Sequence, residues 1–495
     1  MRKFIRFLVT VITLLIALLI VILIVRRCSS KEEPVDIPLP IVEKALGDST
    51  SAFYANFKAY PSDLSQLAIG IFDSGTGGLT VLEKFLSLDS FDNITGDKSP
   101  DKIYDFAGEH FVYLADQANM PYGNYDAVGK SDYLKELVIK DALFVLGDSY
   151  YENAYELRPT GIKSQVKIIV IACNTATAYG LNDVSSLLEK SNTGVKVIGV
   201  INAGVKATLD KLNIQENAAP LAIGVLATPG TIASGAYQRT IEESLQQRGI
   251  KSSVFVVNQK GYGFAEAVDS EPDFVNPALT EPRDSYRGPR IGNGDDSLDV
   301  NMMRAYNFNH SGNNMLHNQL NSAENYARFN LVSLVEKHRK SGNKAPIKAI
   351  ILGCTHYPFL IETLKTVIEE LRVYRQDGKY LYKDLLADDL VFIDPAVYTA
   401  IECYTTLRQD NNLALRITDT ELESYISVPS SSLKNECLTE DGKLTYDYKY
   451  GRECDTEEIT TKQVPFSKSN IDKNNLQRIE TLLPYSYSYI SPRLY

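Results

Sequence analysis

Two cysteines follow strand-like segments in the same way, and they are the best candidates for chemistry in this chain. Cys173 stands in KIIVIACNTATA (167–178), and Cys354 stands in AIILGCTHYPFL (349–360). In each segment an apolar run is followed by a small residue, the thiol, and then side chains that form hydrogen bonds. Such runs are typical of strands buried on both faces of a parallel sheet, and ligands bind beyond the carboxyl ends of those strands. The sequence therefore predicts two thiols facing one pocket.

Paired thiols suggest proton transfer at a carbon atom. One buried cysteine is usually a small apolar side chain, but Asp73 and His356 add titratable partners that can tune thiol ionisation. One thiolate can remove a Cα proton while the opposite thiol delivers another, which inverts a stereocentre without a cofactor. Zinc ligation by Cys, His and Asp is the main alternative. Cysteine-protease chemistry is a weaker one, because it leaves the second thiol idle.

The elements that must position these residues form a regular pattern. LAIGIFDSGTGGLTVLEKFL (67–86) predicts a strand, a glycine-rich turn and an amphipathic helix. No Lys-Ser or Lys-Thr follows the glycines, so the turn is not a nucleotide-binding P-loop. Strands and helices then alternate along the chain, which predicts an α/β protein with parallel sheets.

Length and charge narrow the class of protein. A chain of 495 residues is too long for one compact core, so two or more units are expected. The net charge of −11 argues against a nucleic-acid-binding protein. Six cysteines without regular spacing predict neither a disulfide framework nor a zinc site.

The N-terminus predicts a membrane anchor. Residues 7–25 are apolar except for two threonines, which is long enough for a transmembrane helix. The flanking residues lack the cleavage site of a signal peptide. A small excess of basic residues before the span favours a single-pass protein with its body outside the cytoplasm, with a cytoplasmic body as the alternative.

Five motifs together resemble glutamate racemase, within the cofactor-independent aspartate/glutamate racemase superfamily. They run in the family's order from about Ala68 to Cys403: IGIFDSGTGGLTVL, PYG, VIACNTATA, IGVLATPGTIASGAYQR and ILGCTHYPFL. The resemblance implies two pseudo-symmetric parallel-sheet domains with the active site between them. It also implies interconversion of L- and D-glutamate, without cofactor or metal, to supply D-glutamate for peptidoglycan.

The resemblance also assigns roles to residues. Cys173 would act on the Cα proton of the D-isomer and Cys354 on that of the L-isomer, supported by Asp73 and His356 respectively. The predicted substrate-binding residues are Asp73, Ser74, Tyr122, Gly123, Asn174, Thr175, Thr355 and His356.

Two departures from the family pattern leave alternatives open. Asn202-Ala203-Gly204 replaces Glu-Pro-Gly, and GYGFAEAVD (261–269) lacks the family's cysteine and prolines but offers Asp269 in place of a glutamate. A racemase for another amino acid such as aspartate, and a non-catalytic, membrane-tethered amino-acid-binding protein, are the alternatives.

The predicted organisation divides the chain into an anchor, a racemase body and an extension. Glutamate and the membrane are the expected partners, nucleic acid is not, and a homodimer is a possible assembly. The predicted segments are the anchor 1–30, a linker 31–66, domain 1 at 67–200, domain 2 at 201–358 with an insertion at about 270–320, a return to domain 1 at 359–417 and a polar Tyr/Ser-rich extension 418–495.

Overall fold

A computed structural model of the protein describes residues 39–494, apart from 215–218, 252, 280, 290–314, 317–318 and 415–418. A membrane-spanning helix needs about 20 consecutive apolar residues, and in the described part of the chain no helix is long and apolar enough to cross a bilayer. The predicted span of residues 7–25 lies outside the described residues. The prediction of a single-pass membrane location is therefore withdrawn.

The described elements alternate between strands and helices, as the sequence predicts for an α/β protein. The strands are β1 (Ala68–Asp73), β2 (His110–Ala115), β3 (Ser149–Tyr150), β4 (Gly161–Ile162), β5 (Val166–Ile171), β6 (Lys196–Gly199), β7 (Leu221–Ala227), β8 (Val254–Lys260), β9 (Met315–Leu316), β10 (Gln319–Leu320), β11 (Ile347–Gly353), β12 (Arg375–Gln376), β13 (Lys379–Tyr380), β14 (Leu386–Ile393), β15 (Glu421–Pro429) and β16 (Thr461–Pro465). The α-helices are α1 (Pro40–Gly47), α2 (Leu79–Ser87), α3 (Ser131–Leu146), α4 (Asn174–Ser191), α5 (Val200–Leu212), α6 (Pro229–Ala233), α7 (Ala236–Gln247), α8 (Phe264–Val268), α9 (Ala323–Lys340), α10 (Ile361–Val373), α11 (Pro395–Gln409), α12 (Tyr446–Gly451), α13 (Lys473–Leu482) and α14 (Pro484–Ile490).

Two main sheets carry the structure. The first has the strand order β16–β15–β2–β1–β5–β6, in which only the β15–β16 pair is antiparallel. The second has the order β14–β11–β7–β8, and all of its pairs are parallel. Every residue of β1, β5 and β7 is buried, which explains why these strands read as continuous apolar runs. The parallel-sheet prediction is confirmed.

The segment predicted to return to the first domain divides between the two sheets. Strand β14 pairs with β11 of the second sheet, and α10 packs its apolar face into the second-sheet core. Only α11 joins the first-sheet core, through side chains that include Cys403 and Tyr404. The sequence pattern identified these elements but could not assign them, because an apolar face does not specify which sheet covers it.

The segment predicted as a linker contains a packed helix. In α1, Ile41, Val42 and Ala45 are buried, and the helix contacts α3 and α4. A short helix is predicted at 51–59, but these residues form only a 3₁₀ turn, Phe57–Ala59. In α1, the sequence PIVEKALG (40–47) places Ile41, Val42 and Ala45 on one helical face, which is why this helix packs against α3 and α4.

The C-terminal extension, residues 419–494 as described, is part of the first sheet. β15 runs parallel to β2 and pairs with β16 along its other edge. Buried apolar side chains of the following helices, including Ile479 and Ile490, join the first-sheet core. The extension therefore covers what would otherwise be an exposed sheet edge.

Candidate active site

The carboxyl ends of the two sheets face each other across a narrow gap. Asp73 ends β1, and Cys173 lies two residues beyond β5, the strand next to it. Cys354 follows β11, whose last residue pairs with Ala227 of β7. Hydrogen bonds cross the gap: Tyr237 Oη donates to Asn174 Oδ1 at 2.6 Å, and Thr355 Oγ1 donates to Asp73 Oδ2 at 3.4 Å. The two predicted motifs are thus brought together by tertiary structure.

A small cavity lies in this gap, with a volume of about 30 Å³. Both cysteines line it and neither is in a disulfide. The other predicted site residues that line it are Ser74, Tyr122, Gly123, Asn174, Thr175, Thr355 and His356. Asp73 does not line the cavity and lies fully buried behind it. The cavity is narrow in the substrate-free protein.

Cys173 sits at the N-terminus of α4. Its Sγ accepts a hydrogen bond from the Ala176 amide at 3.4 Å and lies 3.6 Å from Ser74 Oγ. Burial raises the pKa of the Cys173 thiol, and the nearby Asp73 carboxylate raises it further. This sulfur therefore keeps its proton at neutral pH in the substrate-free protein.

Asp73 is held by backbone and side-chain donors. Its Oδ2 accepts from the Gly78 amide at 2.7 Å, in the glycine-rich turn after β1. Burial raises its pKa, and the positive charge of His356 opposes that shift. The turn thus serves to bind a carboxylate of the protein itself.

Cys354 lies beside a buried ion pair. His356 Nδ1 is 3.6 Å from Cys354 Sγ, and His356 Nε2 is 3.2 Å from Asp269 Oδ2. Burial lowers the pKa of His356, but the Asp269 carboxylate outweighs it and holds the pKa well above its ordinary value. Burial likewise opposes ionisation of Asp269, yet His356 and Arg478 bring its pKa down to about 2. Asp269, which the sequence offers in place of the family's glutamate, thus contacts the imidazole of His356 directly.

Gly77 allows the two walls to pack this closely. A Cβ atom built on Gly77 would lie 2.4 Å from His356 Cε1 and 2.8 Å from Thr355 Oγ1. Both distances are shorter than van der Waals contact. Only glycine fits between the first-sheet turn and the histidine.

The Tyr122 hydroxyl is engaged away from the substrate cavity. It lies 2.5 Å from Asp116 Oδ2 and 2.7 Å from Asp141 Oδ2. One hydroxyl proton cannot serve two carboxylates, so one carboxyl group must carry its own proton. Burial and the Asp116 charge raise the pKa of Asp141 well above its ordinary value, which identifies Asp141 as the protonated partner.

Several residues around the cavity escaped the sequence prediction. Thr228 and Thr231 each lie 2.9 Å from Thr175 Oγ1, and Tyr237 bonds Asn174. All three lie in the motif IGVLATPGTIASGAYQR, which could have indicated them. No motif indicated Arg478, because it lies in the C-terminal extension, outside the part of the chain that resembles glutamate racemase.

A larger cavity of about 710 Å³ lies elsewhere, between residues 52–60, α3 and the extension. Neither Cys173 nor Cys354 lines it. Cavity size alone would favour this larger cavity, whereas the predicted catalytic thiols line the smaller one. Within the described ranges, no group of three or more His, Cys, Asp or Glu side chains is arranged to hold a metal ion.

Comparison with known proteins gives a consistent set of relatives. The chain is 26% identical to glutamate racemase from Carboxydothermus hydrogenoformans over 75% of this chain and 91% of that protein. It is 37% identical to glutamate racemase from Aquifex pyrophilus, over 36% of this chain and about half (51%) of that protein. A crystal structure of a glutamate racemase isoform from Bacillus anthracis aligns with a TM-score of 0.42 and 22% identity, covering 73% of this chain and 88% of that one. No protein-family profile matches the chain.

Proposed function

We propose that the chain, which is similar to glutamate racemases over most of its length, is an amino-acid racemase of that family and interconverts L- and D-glutamate by two-base proton transfer through Cys173 and Cys354. The observation that carries the proposal is the pair of free thiols lining one cavity from two different sheets. The resemblance further implies that the D-glutamate supplies peptidoglycan. A homodimer stays a prediction.

The Cys354 side has the groups needed to remove a proton from the L-isomer. His356, whose pKa is held well above its ordinary value by Asp269, lies 3.6 Å from the sulfur, where its imidazolium faces the group that would take the proton. A thiolate aimed at Cα can act as the general base.

The Cys173 side has the groups needed to deliver a proton. Its thiol is neutral because burial and the Asp73 charge oppose ionisation. In the L-to-D direction the Cys354 thiolate takes the Cα proton, and the electron pair of the broken C–H bond moves into the substrate carboxylate. The pair held in the substrate carboxylate then returns to Cα and takes the proton of Cys173 from the opposite face, while the electrons of the broken S–H bond stay on the Cys173 sulfur. The product leaves behind a Cys354 thiol and a Cys173 thiolate, and the reverse reaction starts from that state.

The polar rim of the cavity suits the substrate's charged groups. Asn174 and Thr175 open the 18-residue helix α4, where backbone amides and the helix dipole favour an anion. The Thr355 hydroxyl, which donates to the Asp73 carboxylate behind it, offers an acceptor to an ammonium group. We infer that α4 binds the α-carboxylate and that the Thr355 side binds the α-ammonium.

The test is to incubate the full chain with L-glutamate in ²H₂O, and to follow optical rotation by circular dichroism and Cα deuteration by NMR. Loss of optical rotation together with deuterium at Cα is expected. L-Aspartate is assayed in parallel, and racemisation of aspartate alone would replace the substrate while keeping the two thiols. Tight binding of either amino acid without exchange would favour the non-catalytic binding protein.

A further inference from the structure

The C-terminal extension contacts both walls of the candidate site. On one wall, Arg478 of α13 approaches the ion pair behind Cys354. On the other, Tyr450 Oη of α12 donates to the Pro121 carbonyl at 3.2 Å, and Lys449 Nζ donates to the Met120 carbonyl at 2.5 Å. These carbonyls belong to the loop that carries Tyr122 and Gly123. The extension lies outside the part of the chain that resembles the racemase family.

Arg478 bridges the two segments that carry the ion pair. Its Nη2 donates to Asp269 Oδ1 at 2.6 Å, and its Nη1 donates to the Val268 carbonyl. Its guanidinium lies 4.9 Å from the ring centre of Phe359, three residues after His356. One side chain therefore touches both the turn that carries the carboxylate and the turn that carries the imidazole.

We propose that Arg478 is a positioning residue for the racemase centre, which holds the Asp269 carboxylate and, through it, the His356 imidazole against Cys354. The inference rests on the proposed function and adds a contribution from the extension to the active site.

The geometry gives the reason for such a role. Asp269 has two oxygens, one facing His356 and the other facing Arg478, so the carboxylate cannot rotate without losing a charge-assisted hydrogen bond. The Asp269 side chain is only 3% exposed and that of Arg478 only 14%. Without Arg478, Oδ1 would be a buried acceptor without a charged donor, which is costly enough to displace the carboxylate. The fork of the guanidinium also suits a site that must contact a carboxylate and a carbonyl together.

The test variant is Arg478→Met, which keeps a long apolar side chain over Phe359 but removes the charge and the donors. L- and D-glutamate have equal free energies, so kcat/KM must be equal in the two directions in every variant. A loss of roughly tenfold to a hundredfold is expected in both, because small misplacements of a catalytic group have effects of this size.

The Cα-deuterium isotope effect on kcat/KM separates positioning from a general loss of structure. Slower proton transfer at Cys354 makes removal of deuterium from the L-isomer more rate-limiting, so that isotope effect should rise. The same change makes removal from the D-isomer by Cys173 less rate-limiting, so that isotope effect should fall. A structural defect without bias towards one thiol would leave the two isotope effects in their original ratio.

Arg493→Met is the matched control, because Arg493 also lies in the extension but donates to the Leu422 carbonyl, away from the cavity. It should leave kcat/KM and both isotope effects unchanged. Arg478→Lys keeps the charge but lacks the forked guanidinium, so an intermediate loss of kcat/KM is expected. This variant tests the positioning role if Arg478→Met does not fold. Unchanged kcat/KM in Arg478→Met, or an unchanged ratio of isotope effects, would overturn the positioning role alone. An inactive wild-type chain would overturn both proposals.

Discussion

The two thiols of the site lie in contrasting surroundings. Cys173 has a hydroxyl, a helix N-terminus and the buried Asp73 carboxylate around it, and its pKa is raised by burial and by that negative charge. Cys354 instead faces His356, whose pKa is held well above its ordinary value by Asp269. Identical side chains thus lie beside charges of opposite sign, a carboxylate near Cys173 and an imidazolium near Cys354. The two sites therefore differ in the surrounding charge and not in the residue type.

The two surroundings also differ in how the chain builds them. The groups around Cys173 come from β1 and its turn and from β5 and the start of α4. The groups behind Cys354 come from three distant segments, which supply His356, Asp269 and Arg478. The first arrangement can be read from motifs, whereas the second exists only after the chain has folded.

Removing either thiol should have the largest effect. Cys173→Ser and Cys354→Ser should each lower kcat/KM by about a thousandfold or more, because each removes one of two non-redundant proton carriers. Circular dichroism of both glutamate isomers measures the rates. Cys437→Ser, outside the cavity, should behave like wild type. Substantial activity in either catalytic-site variant would reject the two-base assignment.

Asp269→Asn should impair proton transfer at Cys354 selectively. Without the carboxylate, burial lowers the pKa of His356, so the imidazolium is lost at a lower pH as the pH rises. We expect a loss of about a hundredfold at neutral pH and an alkaline limb of the kcat/KM profile displaced to lower pH.

Asp73→Asn is the matched comparison on the Cys173 side. It removes the negative charge that raises the pKa of Cys173 and leaves the Asp269–His356 pair in place. It should lower the rate and move the histidine-linked limb downward by less than Asp269→Asn does, because Asp73 acts on His356 through charge alone and makes no hydrogen bond to it. Equal displacement of that limb in both variants would show that the two sides are not independent.

Gly77→Ala disturbs the surface where the Cys173 side and the Cys354 side of the site meet. The added methyl group overlaps His356 and Thr355, so we expect about 1–3 kcal/mol of lost stability and a loss of activity of roughly tenfold. Thermal unfolding and initial rates measure the two effects. Gly451→Ala, at an exposed position with no atom within 4 Å of the added Cβ, should change stability by less than about 0.5 kcal/mol.

Exhaustive chelation should have the smallest effect of all. Two thiols that shuttle protons need no metal, so kcat/KM should be unchanged after dialysis against a strong chelator, as measured by the same circular dichroism assay. Activity that disappears and returns with added zinc would instead favour the zinc alternative, with both cysteines as ligands.

The sequence alone was sufficient to predict the α/β class, to show the resemblance to glutamate racemases and to single out both thiols. Buried parallel strands produce continuous apolar runs, and residues at their carboxyl ends stay adjacent to the strand in sequence, so Asp73, Cys173 and Cys354 each stand at the end of a recognisable run. Asp269 could also be singled out, because GYGFAEAVD (261–269) offers it where the family has a glutamate.

Which distant segments pair in one sheet, or form an ion pair, depends on tertiary packing. β14 joined the second sheet, and the polar C-terminal segment formed β15 and β16 on the first. No local pattern connects Arg478 with Asp269, 209 residues earlier in the chain. Hydrophobic periodicity records how much of an element is buried but not against what, and a hydrogen bond between distant side chains leaves no periodic trace in either segment.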